Sequence, residues 1–433
     1  MAIGPDVVLR DILVESGRVE VIVDPGEGRA KEEIDARGLL VLPGAVDAHA
    51  HFNDPGRADW EGWAAGTRGA ALGGITTVAD MPLNSIPPTL DGASFDAKRR
   101  AAEGSAVIDH ALWGGLVGRP DERTLVELRT RGAVGLKAFM SESGVPEFAR
   151  VGDDELRDAL ALAANAGFVV AVHCEDDTLL REAAASGTGA AAWLASRPEA
   201  AEARAIDRLA DAAFATGARV HVVHVSGRAA VSAVRRAKAR GVWLSAETCP
   251  HYLTFTSADV DRSGAPLKCA PPIRSADDRA ELWRALGGGG LDLIASDHSP
   301  CPAEMKGGDL VSAWGGVAGI QSFLPALLTE ALDGKRLELQ ALVRLVAEAP
   351  ARLLGLFPRK GSIRPHSDAD LAFVDPEREW TLEAASLQAR SAISPYVGRL
   401  FRGAVVRTMV RGVTVQLAGD IVAPKGHGRL VTP

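Results

Sequence analysis

The stretch Gly44-Ala-Val-Asp-Ala-His-Ala-His-Phe52 is a short apolar run interrupted by one acid and two histidines. Read as a strand, it places side chains at i and i+2 on one face, so His49 and His51 aim into one space. Two imidazoles converging from a rigid strand make half of a metal site. Alone, the H-x-H spacing also fits two ordinary polar residues on a half-exposed strand. The surrounding chain has to separate these readings.

From Gly44 to about Gly361, apolar β-rich runs alternate with Ala/Arg/Glu segments of helical pattern. The strand candidates are Ala45–Phe52, 76–81, 109–116, 134–140, 168–173, 219–225, 242–248 and 291–296, with helical patterns such as 153–166, 200–216 and 229–240 between them. Eight β-then-α units with near-continuous apolar strands predict an α/β fold, a (β/α)8 barrel. An open doubly wound sheet is the alternative, but no G-x-G-x-x-G follows an early strand. Both flanks have strand texture instead. Residues 7–42 read as a small β meander with turns at Ser16-Gly17 and Asp24-Pro25-Gly26, and strands recur after Gly361 at 370–375, 403–410 and 413–417. The expected division is therefore a small β-sandwich domain from residues 1–43 plus 362–433, and a barrel over 44–361.

Composition narrows the function classes. The 433 residues are 47% hydrophobic and 24% charged, with a formal charge of −8. That balance describes a globular protein and argues against nucleic acid as the main partner, since phosphate binding needs a basic surface. The longest apolar stretch, near 159–172, is too short to span a bilayer, so no membrane partner is expected. Four cysteines without C-x-x-C pairing suit a reducing compartment, and no signal-peptide pattern opens the chain, so a cytoplasmic location is expected.

Barrel enzymes carry their chemistry at the C-terminal ends of the strands. Reading only those ends collects His49 and His51 from strand one, Lys137 within strand four, His173 from strand five, His224 from strand six and Asp297 from strand eight. Six ligand-type residues at one mouth are poorly explained by chance. Lys137 is the odd member, because an ammonium beside metal cations is repelled. Either it snorkels to the mouth, or CO2 converts it to an anionic carbamate able to bridge two metals, and the neighbouring histidines favour the carbamate. Two divalent ions about 3.5–4 Å apart would polarise a substrate carbonyl and bring a bridging water's pKa near neutrality. Imidazole and carboxylate ligands suit zinc, cobalt, manganese or iron. Asp297 would bind one ion and pass the water's proton to the leaving nitrogen, as base and then acid. Among the other histidines, His221 reads as core, His251 as a possible support for the metal ligands, and His298 as pointing away from Asp297's side. The cysteines read as buried thiols.

Asp47-Ala-His-Ala-His51, Gly73-Gly-Ile-Thr-Thr77, Gly135-Leu-Lys137, Val223-His-Val-Ser226 and Ser296-Asp-His-Ser299 together resemble the cyclic amidohydrolases of the amidohydrolase superfamily, which include dihydroorotases, hydantoinases (dihydropyrimidinases) and allantoinases. The likeness runs over essentially the whole chain. It implies a binuclear centre bridged by N6-carboxylated Lys137, with His49, His51 and Asp297 on one ion and His173 and His224 on the other. It also implies a homotetramer. Several stretches, among them His51-Phe-Asn-Asp-Pro-Gly-Arg57, Glu247-Thr-Cys-Pro-His-Tyr252 and Ser394-Pro-Tyr-Val-Gly-Arg399, look like allantoinases.

Two departures from the sibling enzymes bear on substrate. Dihydroorotases usually carry Arg two residues after the second histidine, to pair with a substrate carboxylate; here that residue is Asn53. Hydantoinases usually carry Tyr five residues after the carbamylated lysine; here it is Glu142. The expected reaction is hydrolysis of the hydantoin ring of allantoin to allantoate, with Asp297 catalytic. Asn84, the backbone near Ala270 and the Ser299 hydroxyl are the expected substrate contacts. Hydantoinase, dihydropyrimidinase or dihydroorotase activity, and a catalytically silent scaffold, remain the alternatives.

Overall fold

A computed structural model describes residues 2–3, 6–184 and 187–433; Met1, Gly4, Pro5, Ala185 and Ser186 lie outside the described residues. Eight parallel strands form the barrel: β1 (Ala45–Ala50), β2 (Ile75–Asp80), β3 (Asp109–Leu112), β4 (Leu136–Phe139), β5 (Val169–His173), β6 (Arg219–Val222), β7 (Leu244–Thr248) and β8 (Leu293–Ile294). Each lies within a few residues of its expected position. Ladders join β1 to β2 to β3, and β4 through to β8, all in parallel register. The third strand changes partner at Trp113, whose N–H donates to Asp80, while Gly114 N–H donates to the Gly135 carbonyl. The crossing needs glycine, since a Cβ on Gly115 would stand 2.5 Å from Leu90 and 2.6 Å from Phe148. The ring closes where His51 N–H donates to His298 O at 2.7 Å beside a parallel bridge from Ala50 to His298.

Strands β1 to β5 are buried along their whole length. This follows from their position, with barrel interior on one side and helices on the other. The helix Glu199–Thr216 shows the outer layer. It buries Ala201, Ala205, Ile206, Leu209 and Ala213 along one stripe and stops at Gly217, whose φ of 68° forms a left-handed cap.

The two chain ends meet in one antiparallel sheet, ordered 420–421, 413–417, 400–410, 371–381 and 40–43. The N-terminal meander expected from sequence is not continuous. Asp11–Glu15 and Arg18–Val23 form a hairpin, but Leu40–Pro43 leaves it to pair with residues 371–374. Val41, Leu42 and Pro43 are successive buried residues, whereas the hairpin strands are largely exposed or half-buried. A strand apolar on both faces needs a covered position, which the two-stranded hairpin cannot offer. Among the described residues, no helix is long and apolar enough to cross a membrane.

Candidate metal centre

The histidines of β1 do converge. His49 Nε2 lies 3.2 Å from Asp297 Oδ1, and His51 Nε2 lies 3.5 Å from the same oxygen. A register shift between Asp47 and Ala50 re-aims the end of β1, as bulges do near functional sites. His173, the last residue of β5, sets Nδ1 3.1 Å from Nε2 of His224, two residues past β6. The His49 and His224 ring centroids are 5.7 Å apart, so the two pairs share one space. Lys137 Nζ sits 4.5 Å from the Phe139 ring centre, and that ring stacks on His173 at 4.9 Å.

Strained backbone marks the same mouth. His224, Asp297, Asn53 and Asn84 have φ of 43°, 44°, 63° and 50°. Left-handed non-glycine residues cost about 1–3 kcal/mol each and persist where the surroundings impose them. Two of the four, His224 and Asp297, belong to the converging set.

Carboxylates hold the assembly from behind. Glu247 of β7 spans His49 Nδ1 at 2.6 Å and His221 Nε2 at 2.9 Å. Burial opposes its charge, but His49 and His221 outweigh that and hold its pKa down at about 2. Glu175 accepts His173 Nε2 at 2.8 Å and pairs with Arg197. Asp47 binds the Ser296 N–H at 2.9 Å and its hydroxyl at 2.5 Å, tying β1 to the residue before Asp297. Sequence reading gave Glu247 and Glu175 no role. The available signals were a charged residue inside an otherwise buried strand and an acid two residues after a terminal histidine. His221 is core, as expected, and it also braces Glu247.

The remaining candidates scatter. His298 points to Glu61 Oε1 at 3.2 Å, away from the centre. His251 and Cys249 bring ligand atoms within 4.8 Å of Asp297, so this cluster shares its acid with His49 and His51. Asn84 is buried, and its carbonyl accepts from Arg57 at 2.7 Å. Ser299 is buried, with its N–H on Val317 O, and Ala270 is half-buried. Among the described residues, no hydrogen bond joins these three to the mouth histidines, Lys137 or Asp297.

The donor set fits cations. His49, His51 and Asp297 present ligand atoms within 4.8 Å of one another, and all are buried or nearly so. Lys137 Nζ, His51 Nδ1 and His224 Nδ1 are buried with no hydrogen-bond partner among the described residues. Burial pushes the Lys137 amine down to about 8. Unpaired buried polar groups are costly, and their concentration at one mouth is the pattern left by groups arranged around a ligand.

A sequence model of the amidohydrolase family matches residues 40–415. An allantoinase of Rubrobacter xylanophilus is 49% identical over 430 residues, covering 98% of this chain and 94% of that one. An allantoinase of Escherichia coli K12 is 40% identical, covering 96% and 94%. Among solved structures, the L-hydantoinase (dihydropyrimidinase) of Arthrobacter aurescens superposes with a TM-score of 0.94 at 35% identity, covering 98% of this chain and 96% of that one. The dihydropyrimidinase of Brevibacillus agri superposes with a TM-score of 0.91 at 29% identity, over 99% and 95%.

Proposed function

This chain belongs to the amidohydrolase family, and from that premise we propose that it hydrolyses the hydantoin ring of allantoin to allantoate. The reading rests on one observation above the others: two histidine pairs and Asp297 converge at the barrel mouth, with a buried lysine among them that has no hydrogen-bond partner among the described residues. His49, His51 and Asp297 would hold one divalent ion, and His173 and His224 a second, zinc before cobalt, manganese or iron. Lys137, as its N6-carboxy form, would bridge them. Its isolation supports this, because an amine without a partner is free to react with CO2 and the resulting anion suits cationic neighbours. When bound, the ions would polarise the scissile carbonyl and bring a water's pKa near neutrality.

The chain's own groups would do the rest. Asp297, between His49 and His51, is anionic over the working pH range because the surrounding imidazoles outweigh the effect of burial. It accepts the proton of the attacking water and returns it to the departing ring nitrogen. Asn84, the Ala270 backbone and Ser299 are the proposed substrate contacts.

Substrate choice draws on two side chains. Asn53 is fully buried, and its Nδ2 donates to Pro300 O at 3.2 Å, so the position lends no positive charge to a substrate carboxylate. A missing ion-pair partner disfavours a carboxylate-bearing ring such as dihydroorotate. Glu142 turns its side chain outward, 78% exposed and 3.8 Å from Arg150, so no phenol serves the mouth from that place. The likeness to solved hydantoinases keeps hydantoin as the second reading. Both share the barrel, and the higher identity to allantoinases favours allantoin.

The same reading carries a barrel over 44–361, a β-sandwich domain from 1–43 plus 362–433, a homotetramer, and a cytoplasmic setting in keeping with four buried free cysteines. Ring opening of allantoin, hydantoin and dihydrouracil, assayed side by side with zinc and bicarbonate present, tests the function. Allantoin should be preferred. Allantoin left intact while hydantoin opens readily would reverse the assignment, and protein that takes up no metal would return the scaffold alternative.

A further inference from the structure

The two histidine pairs are braced differently, and the bracing selects which ring nitrogen can face a cation. His49 gives Nδ1 to Glu247 at 2.6 Å, which leaves Nε2 directed at Asp297, 3.2 Å away. His173 is reversed: Nε2 meets Glu175 at 2.8 Å, and Nδ1 faces His224 at 3.1 Å. A neutral imidazole has one N–H, so a carboxylate that accepts it leaves the lone pair on the opposite nitrogen. His51 and His224 show no such brace, since their Nδ1 atoms lack hydrogen-bond partners among the described residues. Each half of the centre thus has one braced and one unbraced imidazole.

The braces differ in their own surroundings. Glu247 uses its second oxygen on His221 at 2.9 Å, and His221 is fixed in turn by Ser245 Oγ at 2.8 Å. Both of its partners are imidazoles. Glu175 instead shares the oxygen that meets His173 with the Arg197 guanidinium, while its other oxygen has no hydrogen-bond partner among the described residues. Both glutamates are buried, at 1% and 0% exposure, so neither draws screening from water.

We infer that Glu247 and Glu175 are positioning residues, one for each half of the centre, which direct His49 to bind through Nε2 and His173 through Nδ1. Glu247 is the stronger brace, because the charge of Glu175 is already committed to Arg197. The inference rests on the two-ion reading above.

The test is titration of the apo chain with Zn2+ against a chromophoric chelator, in bicarbonate buffer, for wild type, Glu247→Gln and Glu175→Gln. Loss of a carboxylate behind a ligating histidine typically costs 10–100-fold in metal affinity. Wild type should take up two ions. Glu247→Gln should weaken one of them by about 100-fold, and Glu175→Gln the other by about 10-fold. If Glu247→Gln fails to fold, His221→Gln loosens the same glutamate without touching His49 and should weaken the same ion. Wild-type ion affinities in both glutamine variants, whatever their melting temperatures, would overturn the inference and leave the two-ion reading intact. A wild-type chain that takes up a single ion would overturn the two-ion reading itself, and with it the assignment of one glutamate to each half.

Discussion

Lys137 and Lys360 are both completely buried, at opposite ends of one barrel, and they live in opposite surroundings. At the floor, Lys360 Nζ meets Asp109 at 2.5 Å, Asp370 at 2.7 Å and Asp368 at 2.9 Å. Asp109 also pairs with Arg411 and accepts the Arg429 N–H at 2.9 Å, so this cluster joins the barrel, the sandwich and the C-terminal segment. At the mouth, Lys137 Nζ has no hydrogen-bond partner among the described residues. Burial opposes both charges. The three carboxylates outweigh it at Lys360 and raise that amine above the usual lysine range, while Lys137 falls to about 8. Burial alone therefore does not fix the charge state of a lysine. A buried charge with every partner present holds the fold together; one without hydrogen-bond partners is a candidate for a ligand or a modification.

The largest expected effect is at the mouth. Lys137→Ala should lower allantoin turnover by roughly 10³-fold or more, the scale of losing a group that organises developing charge. A short carboxylic acid supplied in solution should partly restore it. Full turnover by the variant would break the contrast. At the floor the loss should be one of stability. Lys360→Met leaves three carboxylates facing one another, and should cost about 3–5 kcal/mol in the urea unfolding free energy with kcat retained.

A smaller effect concerns pH. Burial raises the Asp109 pKa, but Lys360 and Arg411 outweigh it and hold the folded value below the ordinary 3.8. A depressed carboxyl contributes stability that is complete above the unfolded value and is lost as pH falls through the folded one. Acid unfolding of wild type should accordingly begin below about pH 4, and Lys360→Met should shift its midpoint upward. An unmoved midpoint would show that the floor pairs do not govern acid stability. Smallest of all, Glu142→Ala should change stability by no more than about 0.5 kcal/mol and kcat/KM by less than about twofold, as expected of an exposed side chain. A large loss of activity would mean that Glu142 turns into the mouth during turnover.

Much of this was legible in the chain itself. Alternating apolar and helical segments located eight strands, because a strand buried on both faces must be apolar throughout. Strand ends then picked out His49, His51, Lys137, His173, His224 and Asp297, because barrel geometry sends those ends to one mouth. The substituted positions, Asn53 and Glu142, were equally readable. Glu247 and Glu175 were not assigned, since nothing in a linear sequence says that an acid on β7 stands 2.6 Å from a histidine on β1. The departure of Leu40–Pro43 from the expected meander was hidden for the same reason: its partner lies more than three hundred residues away.

Sequence alone thus determined the kinds of group available and the end of the barrel at which they gather, because periodicity and residue chemistry are local properties. Tertiary structure decided which of those groups are paired. That decision separates Lys360 from Lys137, turns His49 and His173 to opposite nitrogens, and makes His221 a brace for Glu247. It depends on contacts of a few ångströms between distant segments, and the free energy of a buried charge is set by those contacts.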